Sequence, residues 1–600
     1  MLEFINNPEE LKKLNNDELI ILADDIREFL IENIEKTGGH LASNLGTIEL
    51  SIALHKVFDC PNDAIIWDVG HQAYTHKILT GRKDKMHTIR QKNGLSGFTK
   101  ISESSFDVFG AGHSSTSISA ALGVAIANGL NNKKDVSIAV IGDGALTGGM
   151  AFEALNHAGD SDANLLIVLN DNDMSISKNV GALNKYLTKL LSGKVYSTMK
   201  EKSMKILERV PSIKKFAQKS EEHLKGMILP GTLFEELGID YFGPINGHDI
   251  PTLIKTLNNL KEHKKPRILH VVTKKGNGLE KAEQDPCKFH GISANTAVKQ
   301  SIITFSGVFG QWLLNQAKND EKVVAITPAM CEGSGMQEFA KQYPKRYFDV
   351  GIAEQHAITF AGGLATQGFK VIVAIYSTFL QRAYDQLIHD IVLQKLPIVF
   401  AIDRAGLVGE DGATHAGVFD LSFLRVIPDL VIIAPSDANE CYLALNTALA
   451  MNKTVAVRYP RGYCVTNLTI DENICFENMQ ANIIFEGEKI AILSFGNRLK
   501  EAKKAGKVLN ATVVDMRFVK PLDEELIKSL EKNHLKIITI EDNTIKGGAG
   551  SAVLEFVMKN NLNMQVKILG IPDEITHQGS QDELYQDYGL MSEDIITAAK

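Results

Sequence analysis

Two short polar clusters end apolar runs in this chain: Gly142-Asp143-Gly144 and Asn170-Asp171-Asn172. Asp143 brings a carboxylate and Asn172 an amide oxygen, hard donors that suit Mg²⁺ better than zinc. Magnesium keeps few protein ligands and completes its octahedron with phosphate oxygens and water. The chemistry implied is therefore a metal-assisted grip on a diphosphate. Glycines beside the Asp let such a group approach the backbone closely. A sheet turn that happens to carry Asp and Asn is the bland alternative, and it leaves the second cluster unexplained.

Of the 17 histidines, His40, His71, His113 and His290 stand in glycine-rich settings within the first α/β series and the segment that follows it. Most histidines are ordinary surface or core residues, but a glycine neighbour permits a turn that aims an imidazole into a cleft. Gly112-His113-Ser114-Ser115 precedes an Ala-rich helix predicted over Ile118–Asn128. Its serines can cap that helix, and its backbone N–H groups can meet an anion. Further on, Asp349-Val350-Gly351-Ile352-Ala353-Glu354 carries a short strand into a helix with Glu354 in the first turn. A Glu there ordinarily serves the helix dipole. Apolar Ile352, Ala353, Ala357 and Phe360 predict partial burial, a raised pKa and a proton that can be shared with a ring nitrogen. Phe379, after the strand ending at Ile375, offers an aromatic face. Asp411 and His415 share the polar loop Gly409–His415. Arg404 and Arg461 are rigid forks suited to a sugar phosphate, although singly each reads as a surface ion pair.

Such residues need a frame that converges them. Val136–Ile141 and Leu165–Leu169 read as buried strands, with a glycine-closed helix over Gly148–Gly159 between them. Together they form a βαβ unit, whose strands run parallel and end on one side of the sheet. Asp143 and Asn172 are thereby predicted to be neighbours where α/β folds bind ligands. A second α/β series holds a helix near Phe305–Ala317 and strands at Val323–Ile326, Val371–Ile375 and Ile398–Ile402. A third holds strands at Ile490–Ser494, Ala511–Asp515 and Ile537–Glu541. The Lys-rich stretch Asn179–Lys225 reads as an excursion of amphipathic helices, either covering the ligand edge or forming a solvated surface insertion without function, and Asn277–Lys299 reads as a polar linker. Gly548-Ala549-Gly550-Ser551 lacks the full nucleotide fingerprint and reads as a helix-start turn.

The 600 residues are 44% hydrophobic and 23% charged, the balance of a globular chain with a sizeable core. Three α/β domains with mainly parallel sheets are predicted: 1–299 with the diphosphate and metal residues and the helical excursion 179–225, then 300–485, then 486–600. A net charge of −8 disfavours nucleic acid or an anionic membrane as partner. No apolar run is long enough to span a bilayer, and the N-terminus has no signal-peptide pattern. Six scattered cysteines without a CxxC read as reduced thiols, so a cytoplasmic location is expected.

The spacing of GDG and the later Asn resembles the thiamine-diphosphate motif. In such enzymes the metal ligands are that Asp, that Asn and a backbone carbonyl two residues on, which correspond to Asp143, Asn172 and Met174. The resemblance extends along the chain. Trp67–Gly81 (WDVGHQAYTHKILTG), Gly110–Gly123, Gly142–Gly159, Leu169–Ser177, Asp349–Ala365 (DVGIAEQHAITFAGGLA), Tyr376–Asp390, Asp403–Gly417 and Ile540–Val553 carry it. On these residues the chain resembles the 1-deoxy-D-xylulose-5-phosphate synthase family, transketolase-like enzymes that use thiamine diphosphate and Mg²⁺. The resemblance implies two thiamine-diphosphate-binding folds and a C-terminal transketolase-like domain, acting as a homodimer. It also implies a decarboxylating condensation of pyruvate with D-glyceraldehyde 3-phosphate, the first step towards isoprenoid precursors by the non-mevalonate route.

On matching positions, His71, Gly112, His113, Ser114, Gly144, Ala145 and Asn172 would contact the cofactor. Glu354 would pair with its pyrimidine and Phe379 would stack on it. His40, His290, Asp411 and His415 would line the reacting centre, and Tyr376, Arg404 and Arg461 would hold the aldehyde's phosphate. Leu279 stands where the family usually has an aromatic residue, and the 179–225 excursion is short for the family. Two rivals remain: a transketolase-type two-carbon transfer without loss of carbon dioxide, and a non-catalytic thiamine-diphosphate-binding regulator. Retention of Glu354, His40 and His415 disfavours the regulator.

Overall fold

The computed structural model describes residues 1–172, 181–183, 185–187, 232–292, 302–469 and 474–600. Met174, most of the 179–225 excursion and residues 293–299 of the expected linker lie outside the described residues. Cα proximity divides the chain into two units, Met1–Ile89 with Gly94–Ala297, and Arg90–Asn93 with Val298–Lys600.

The first unit is built on five parallel strands: β1 (Ala64–Trp67), β2 (Ser137–Gly142), β3 (Leu165–Asp171), β4 (Asp240–Asn246) and β5 (Arg267–Val272). Their order is β1-β2-β3-β5-β4. Because side chains alternate along a strand, the apolar runs of β2 and β3 feed two cores. Ala139, Ile141, Leu165, Ile167 and Leu169 enter one, with the helices Ser117–Leu130 and Gly149–Gly159. Ile138, Val140, Leu166 and Val168 enter the other, with Leu50, Leu54 and Leu253. Each buried Val, Leu or Ile among them contributes about 1.5–3 kcal/mol relative to exposure. Leu183 and Leu187 of the excursion pack on the first of these cores. The parallel register sets Gly142 opposite Asn170, so Asp143 and Asn172 leave the sheet at its carboxyl edge.

The second unit carries two sheets. One has β6 (Val323–Thr327), β7 (Tyr347–Asp349), β8 (Lys370–Tyr376), β9 (Ile398–Ala405), β10 (Val431–Ile433) and β11 (Val455–Pro460). The other has β12 (Asn482–Phe485), β13 (Lys489–Ser494), β14 (Thr512–Asp515), β16 (His534–Thr544) and β17 (Gln565–Ile571). Between β14 and β16 in the chain, β15 (Phe518–Lys520) leaves its own sheet and adds antiparallel to β10. The orders are β15-β10-β11-β9-β8-β6-β7 and β12-β14-β13-β16-β17, parallel except for β15 and the edge strand β12. The architecture is thus three α/β domains with mainly parallel sheets. Arg458, buried within β11, bonds both oxygens of Asp420 at 3.0 and 3.1 Å and also Asp542 from β16. Removing one member of such a set would leave a buried charge unpaired.

The Gly548 turn starts the helix Ala549–Lys559, as its sequence suggested. Its free N–H groups, Ala549 N and Gly550 N, both donate to the Glu541 carboxylate at 2.8 Å. An internal carboxylate therefore occupies the place a phosphate would take.

Asp515, at the carboxyl end of β14, is buried and accepts the Ser436 hydroxyl at 2.6 Å. Burial, aided by the nearby Glu440 charge, pushes its carboxyl up to about 7. Between the ordinary carboxyl value and 7 the folded chain holds a proton that the unfolded chain has released. The stability tied to that proton is complete below the unfolded pKa of about 4 and is lost as pH rises through the folded value. Asp515→Asn should therefore flatten the fall in melting temperature between about pH 5 and pH 8. A variant whose melting temperature tracks pH as the parent's does would contradict this.

Candidate active site

In the first unit, the chain leaves β1 through Asp68, Val69 and Gly70 before reaching His71. Val69 has φ +60° and Gly70 φ +81°. A Cβ on Gly70 would lie 3.1 Å from Thr99 N, so the turn is closed to larger residues. A β-branched residue at positive φ is a true outlier, the kind of strain that gathers at functional sites.

His71 belongs to a cluster of three imidazoles. Ring centroids lie 5.5 Å apart for His40–His71, 5.6 Å for His40–His290 and 5.3 Å for His71–His290. Tyr74 Oη lies 3.4 Å from His40 Nδ1, and Ser43 Oγ 3.5 Å from His290 Nδ1. A β-bridge between Gly39 and Ile292 brings His290 to this place. Ala42 N reinforces it by donating to Phe289 O at 2.9 Å. Residues 277–292 are therefore no linker: they form the helix Glu280–Gln284 and a wall of the histidine cluster. Leu279 is half-buried on a core that also holds Leu41 and Tyr74.

Asn44, fully buried, ties the cluster together. Its Nδ2 donates to His40 O at 2.6 Å and His71 O at 2.8 Å, and its Oδ1 accepts Tyr74 N at 2.8 Å. Nothing in its sequence setting marked it, since no motif surrounds it.

The Gly112–Ser115 turn departs from its expected role. Thr116, not a serine, is the N-cap of the helix Ser117–Leu130, and no side chain of the turn caps it. The buried Asp68 accepts Ser115 N at 2.7 Å and Ser117 N at 3.0 Å instead. Ser115 Oγ donates to Ala145 O at 2.7 Å, joining this turn to the short 3₁₀ turn Ala145–Thr147 that Gly144 caps. His113 is half-buried, while Gly112 and Ser114 are buried.

At the sheet edge, hydrogen bonding sorts the polar cluster. Asn170 Oδ1 accepts Thr273 Oγ1 at 2.7 Å, and Asp171 meets His270 Nε2 at 3.0 Å. Asn172 Oδ1 is buried and has no hydrogen-bond partner among the described residues. Asp143 is buried at the neighbouring strand end, its N donating to Asn170 O at 3.3 Å. One carboxylate and one unpartnered amide oxygen are a donor set that fits a hard cation whose remaining ligands are other oxygens. Lys275, just beyond β5, is also buried. Burial lowers its ammonium to about 8, and the Asp143 charge opposes that shift.

In the second unit, Glu354 opens the helix Glu354–Thr366 and is 4% exposed. Burial raises its carboxyl, while Arg382, with Nε 3.7 Å from Oε2, opposes the shift. The helix Ser377–Leu380 continues directly from β8 and sets up a ladder of rings. Arg404 Cζ lies 4.0 Å over Tyr376, Tyr376 stacks on Phe379 at 5.6 Å, and Phe379 meets His415 edge-on at 5.6 Å. Burial pushes the Tyr376 phenol up to about 12. Arg404, at φ +56°, donates from Nη1 to Gly333 O at 3.0 Å. A Cβ on Gly333 would come within 1.7 Å of Tyr376 Oη, so only glycine allows this packing. Thr414 Oγ1 lies 3.0 Å from His415 Nδ1 and fixes the ring.

Arg461 Nη1 turns towards its own neighbourhood, donating to Val408 O at 2.9 Å and Glu410 Oε2 at 3.1 Å. Asp411 lies 4.0 Å from it and pairs with Arg90 Nη2 at 2.9 Å. Arg90, Asp68, Arg382 and Gly333 escaped the sequence reading. Arg90 sits in a polar stretch far from Asp411 in sequence, and a lone glycine such as Gly333 announces no contact.

Comparison with known proteins places these residues in a family. Residues 2–273 match the family described as 1-deoxy-D-xylulose-5-phosphate synthase. Residues 301–465 match the transketolase pyrimidine-binding domain, and 479–595 the transketolase C-terminal domain. The 1-deoxy-D-xylulose-5-phosphate synthase of Thioalkalivibrio sulfidiphilus is 54% identical, with 100% of this chain and 95% of the relative covered. Its namesake in Pseudoalteromonas translucida is 53% identical, covering 100% and 98%. For that of Methylococcus capsulatus the identity is 55%, over 98% of this chain and 94% of the relative. The chain belongs to the 1-deoxy-D-xylulose-5-phosphate synthase family.

Proposed function

We infer that this chain condenses pyruvate with D-glyceraldehyde 3-phosphate, losing carbon dioxide and giving 1-deoxy-D-xylulose 5-phosphate. The observation that carries this reading is the likeness to synthases of that name along nearly the whole of both chains. Thiamine diphosphate with Mg²⁺ is the proposed cofactor. When bound, thiamine diphosphate supplies a nucleophilic carbon and an electron sink for the loss of carbon dioxide.

The proposed roles of the residues follow from their settings. Asp143 and the unpartnered Asn172 Oδ1, with the main-chain carbonyl of Met174, hold Mg²⁺ and through it the diphosphate. His71, Gly112, His113, Ser114, Gly144 and Ala145 line the cofactor. Glu354, kept protonated towards higher pH by burial, shares its proton with the pyrimidine nitrogen. Phe379, held between Tyr376 and His415, presents its ring to the pyrimidine. His40, His290, Asp411 and His415 carry or orient protons at the reacting carbons, each proton transfer contributing about 10²–10⁴-fold. Tyr376, Arg404 and Arg461 grip the aldehyde's phosphate, with the Arg404 fork braced over the Tyr376 ring.

We further propose domain borders at 299/300 and 485/486, a homodimer, and a cytoplasmic location. No helix among the described residues is long and apolar enough to cross a membrane.

Because 301–465 and 479–595 match transketolase domains, ketol transfer between sugar phosphates is the second reading. Carbon dioxide release from pyruvate that depends on glyceraldehyde 3-phosphate separates the two. Ketol transfer with no such release would sink the synthase reading.

Glu354→Ala should retain Mg²⁺-dependent binding of thiamine diphosphate, read by calorimetry, while turnover falls at least about 10²-fold. Near-normal activity in that variant would refute the role given to Glu354. Arg461→Ala should raise the KM for glyceraldehyde 3-phosphate about tenfold or more and leave the KM for pyruvate near the parent value. Equal rises in both would argue against phosphate recognition there.

A further inference from the structure

The loop that carries Asp411 is rich in glycine, with Gly406, Gly409, Gly412 and Gly417 at close intervals. Gly406, Gly409 and Gly412 have φ of +74°, +98° and +66°. Left to itself such a backbone is loose. A segment of the third domain, His577–Asp587, holds it from outside. Gln581 Nε2 donates to Leu407 O at 2.7 Å and to Arg461 O at 3.3 Å. Gly412 is packed closely on the segment, whereas a Cβ on Gly409 would lie in ordinary contact with it. The gap would be 3.4 Å to Gly579 O from Gly409 and 3.1 Å to Gln578 Cβ from Gly412. The same segment reaches the stretch that carries Arg90. Gln578 Nε2 donates to Gln91 O at 3.3 Å, and Asp587 pairs with Lys92 at 2.6 Å.

The segment is itself well anchored. Gln581 is the first residue of the helix Gln581–Asp587, and Ser580 and Glu583 close a capping box around its start. Leu584, Tyr585 and Tyr588 are buried in the third domain's core. One side-chain amide on a rigid helix start thus spans two main chains, the loop of Asp411 and the residue Arg461.

We propose that Gln581 is a positioning residue for acceptor recognition: its amide sets the Asp411 loop against the Arg461 main chain, so the third domain shapes the grip on the aldehyde's phosphate. The inference rests on the reading that Arg461 and Arg404 hold that phosphate. Two N–H donors converge on two carbonyls, each bond contributing a modest net amount. The effect falls on the precision of the phosphate grip, not on the chemistry at the reacting carbons.

Two variants of the full chain test it. Gln581→Met keeps the length of the side chain and removes its donors. Gln581→Glu keeps its shape and sets a negative charge beside two carbonyl oxygens. Both are expected to raise the KM for glyceraldehyde 3-phosphate about tenfold, with kcat, the KM for pyruvate and the melting temperature near the parent values. Amide exchange in peptides covering 406–417 should quicken in both. An unchanged KM for the aldehyde, or equal rises in both KM values with a lowered melting temperature, would overturn the proposal and leave Gln581 as a packing residue. Arg461→Ala is measured alongside. If it leaves the aldehyde KM at the parent value, the phosphate reading itself fails. If it raises that KM while the Gln581 variants do not, only the positioning role fails.

Discussion

Parallel strand pairing is the constraint from which the rest follows. A parallel sheet returns its chain through a crossover after every strand, so all carboxyl ends gather on one edge. In the first unit the register of β2 on β3 places Gly142 opposite Asn170, and the next residues of both strands must emerge side by side. In the second unit β8 pairs with β9 so that Tyr376 stands opposite Asp403. That pairing is what lets Arg404 lie on Tyr376 and Phe379 continue the stack. A slip of one residue in either register would turn that unit's side chains to the opposite face of its sheet.

Emergence at an edge does not by itself aim a side chain, and here backbone strain does the aiming. Ser115, Ala329 and Arg404 hold φ of +67°, +60° and +56° without being glycine. Each such residue costs about 1–3 kcal/mol and persists only where its surroundings over-determine it. In each case an aspartate at a strand end supplies the brace. Asp68, after β1, accepts Ser115 N; Asp349, ending β7, accepts Ala329 N; Asp403, in β9, accepts Arg404 N. Asp403 is anchored in turn by the Ser306 hydroxyl at 2.7 Å. One device, a strand-terminal carboxylate bonded to a left-handed N–H, thus recurs in both units.

What could be read in the sequence is what short-range periodicity encodes. The β2–helix–β3 unit, the helix Phe305–Asn319 and the strands β8, β9, β13 and β16 announce themselves through apolar runs bounded by glycine or polar residues. The strand-end donors Asp143 and Asn172 and the helix-start Glu354 follow from them. Contacts closed by long loops have no such signature. The bridge of Ile292 to Gly39, the pairing of Arg90 with Asp411 and the antiparallel addition of β15 to β10 join residues far apart in sequence. Nor does composition reveal that Asp68, not a serine of the turn, accepts the first free N–H of the helix, that of Ser117. That outcome belongs to tertiary packing.

The candidate site can be understood as what remains once the fold has satisfied itself. Buried polar atoms in a native structure are almost all paired, because an unpaired one costs about 1–3 kcal/mol. The Asn170-Asp171-Asn172 cluster follows that rule for two of its members, whose bonds to Thr273 and His270 tie β3 to β5. Asn172 breaks it among the described residues, leaving a buried amide oxygen one strand away from a buried carboxylate. Burying Glu354 carries the same logic in the second unit, where Arg382 at 3.7 Å and a backbone hydrogen bond oppose but do not cancel the desolvation of the carboxyl. Both arrangements are unfavourable in the folded chain alone; on the proposed reading a cation at the first and a ring nitrogen at the second would relieve them. In each unit, taken by itself, the stability forgone at Asn172 or at Glu354 is free energy that a partner for that group would return.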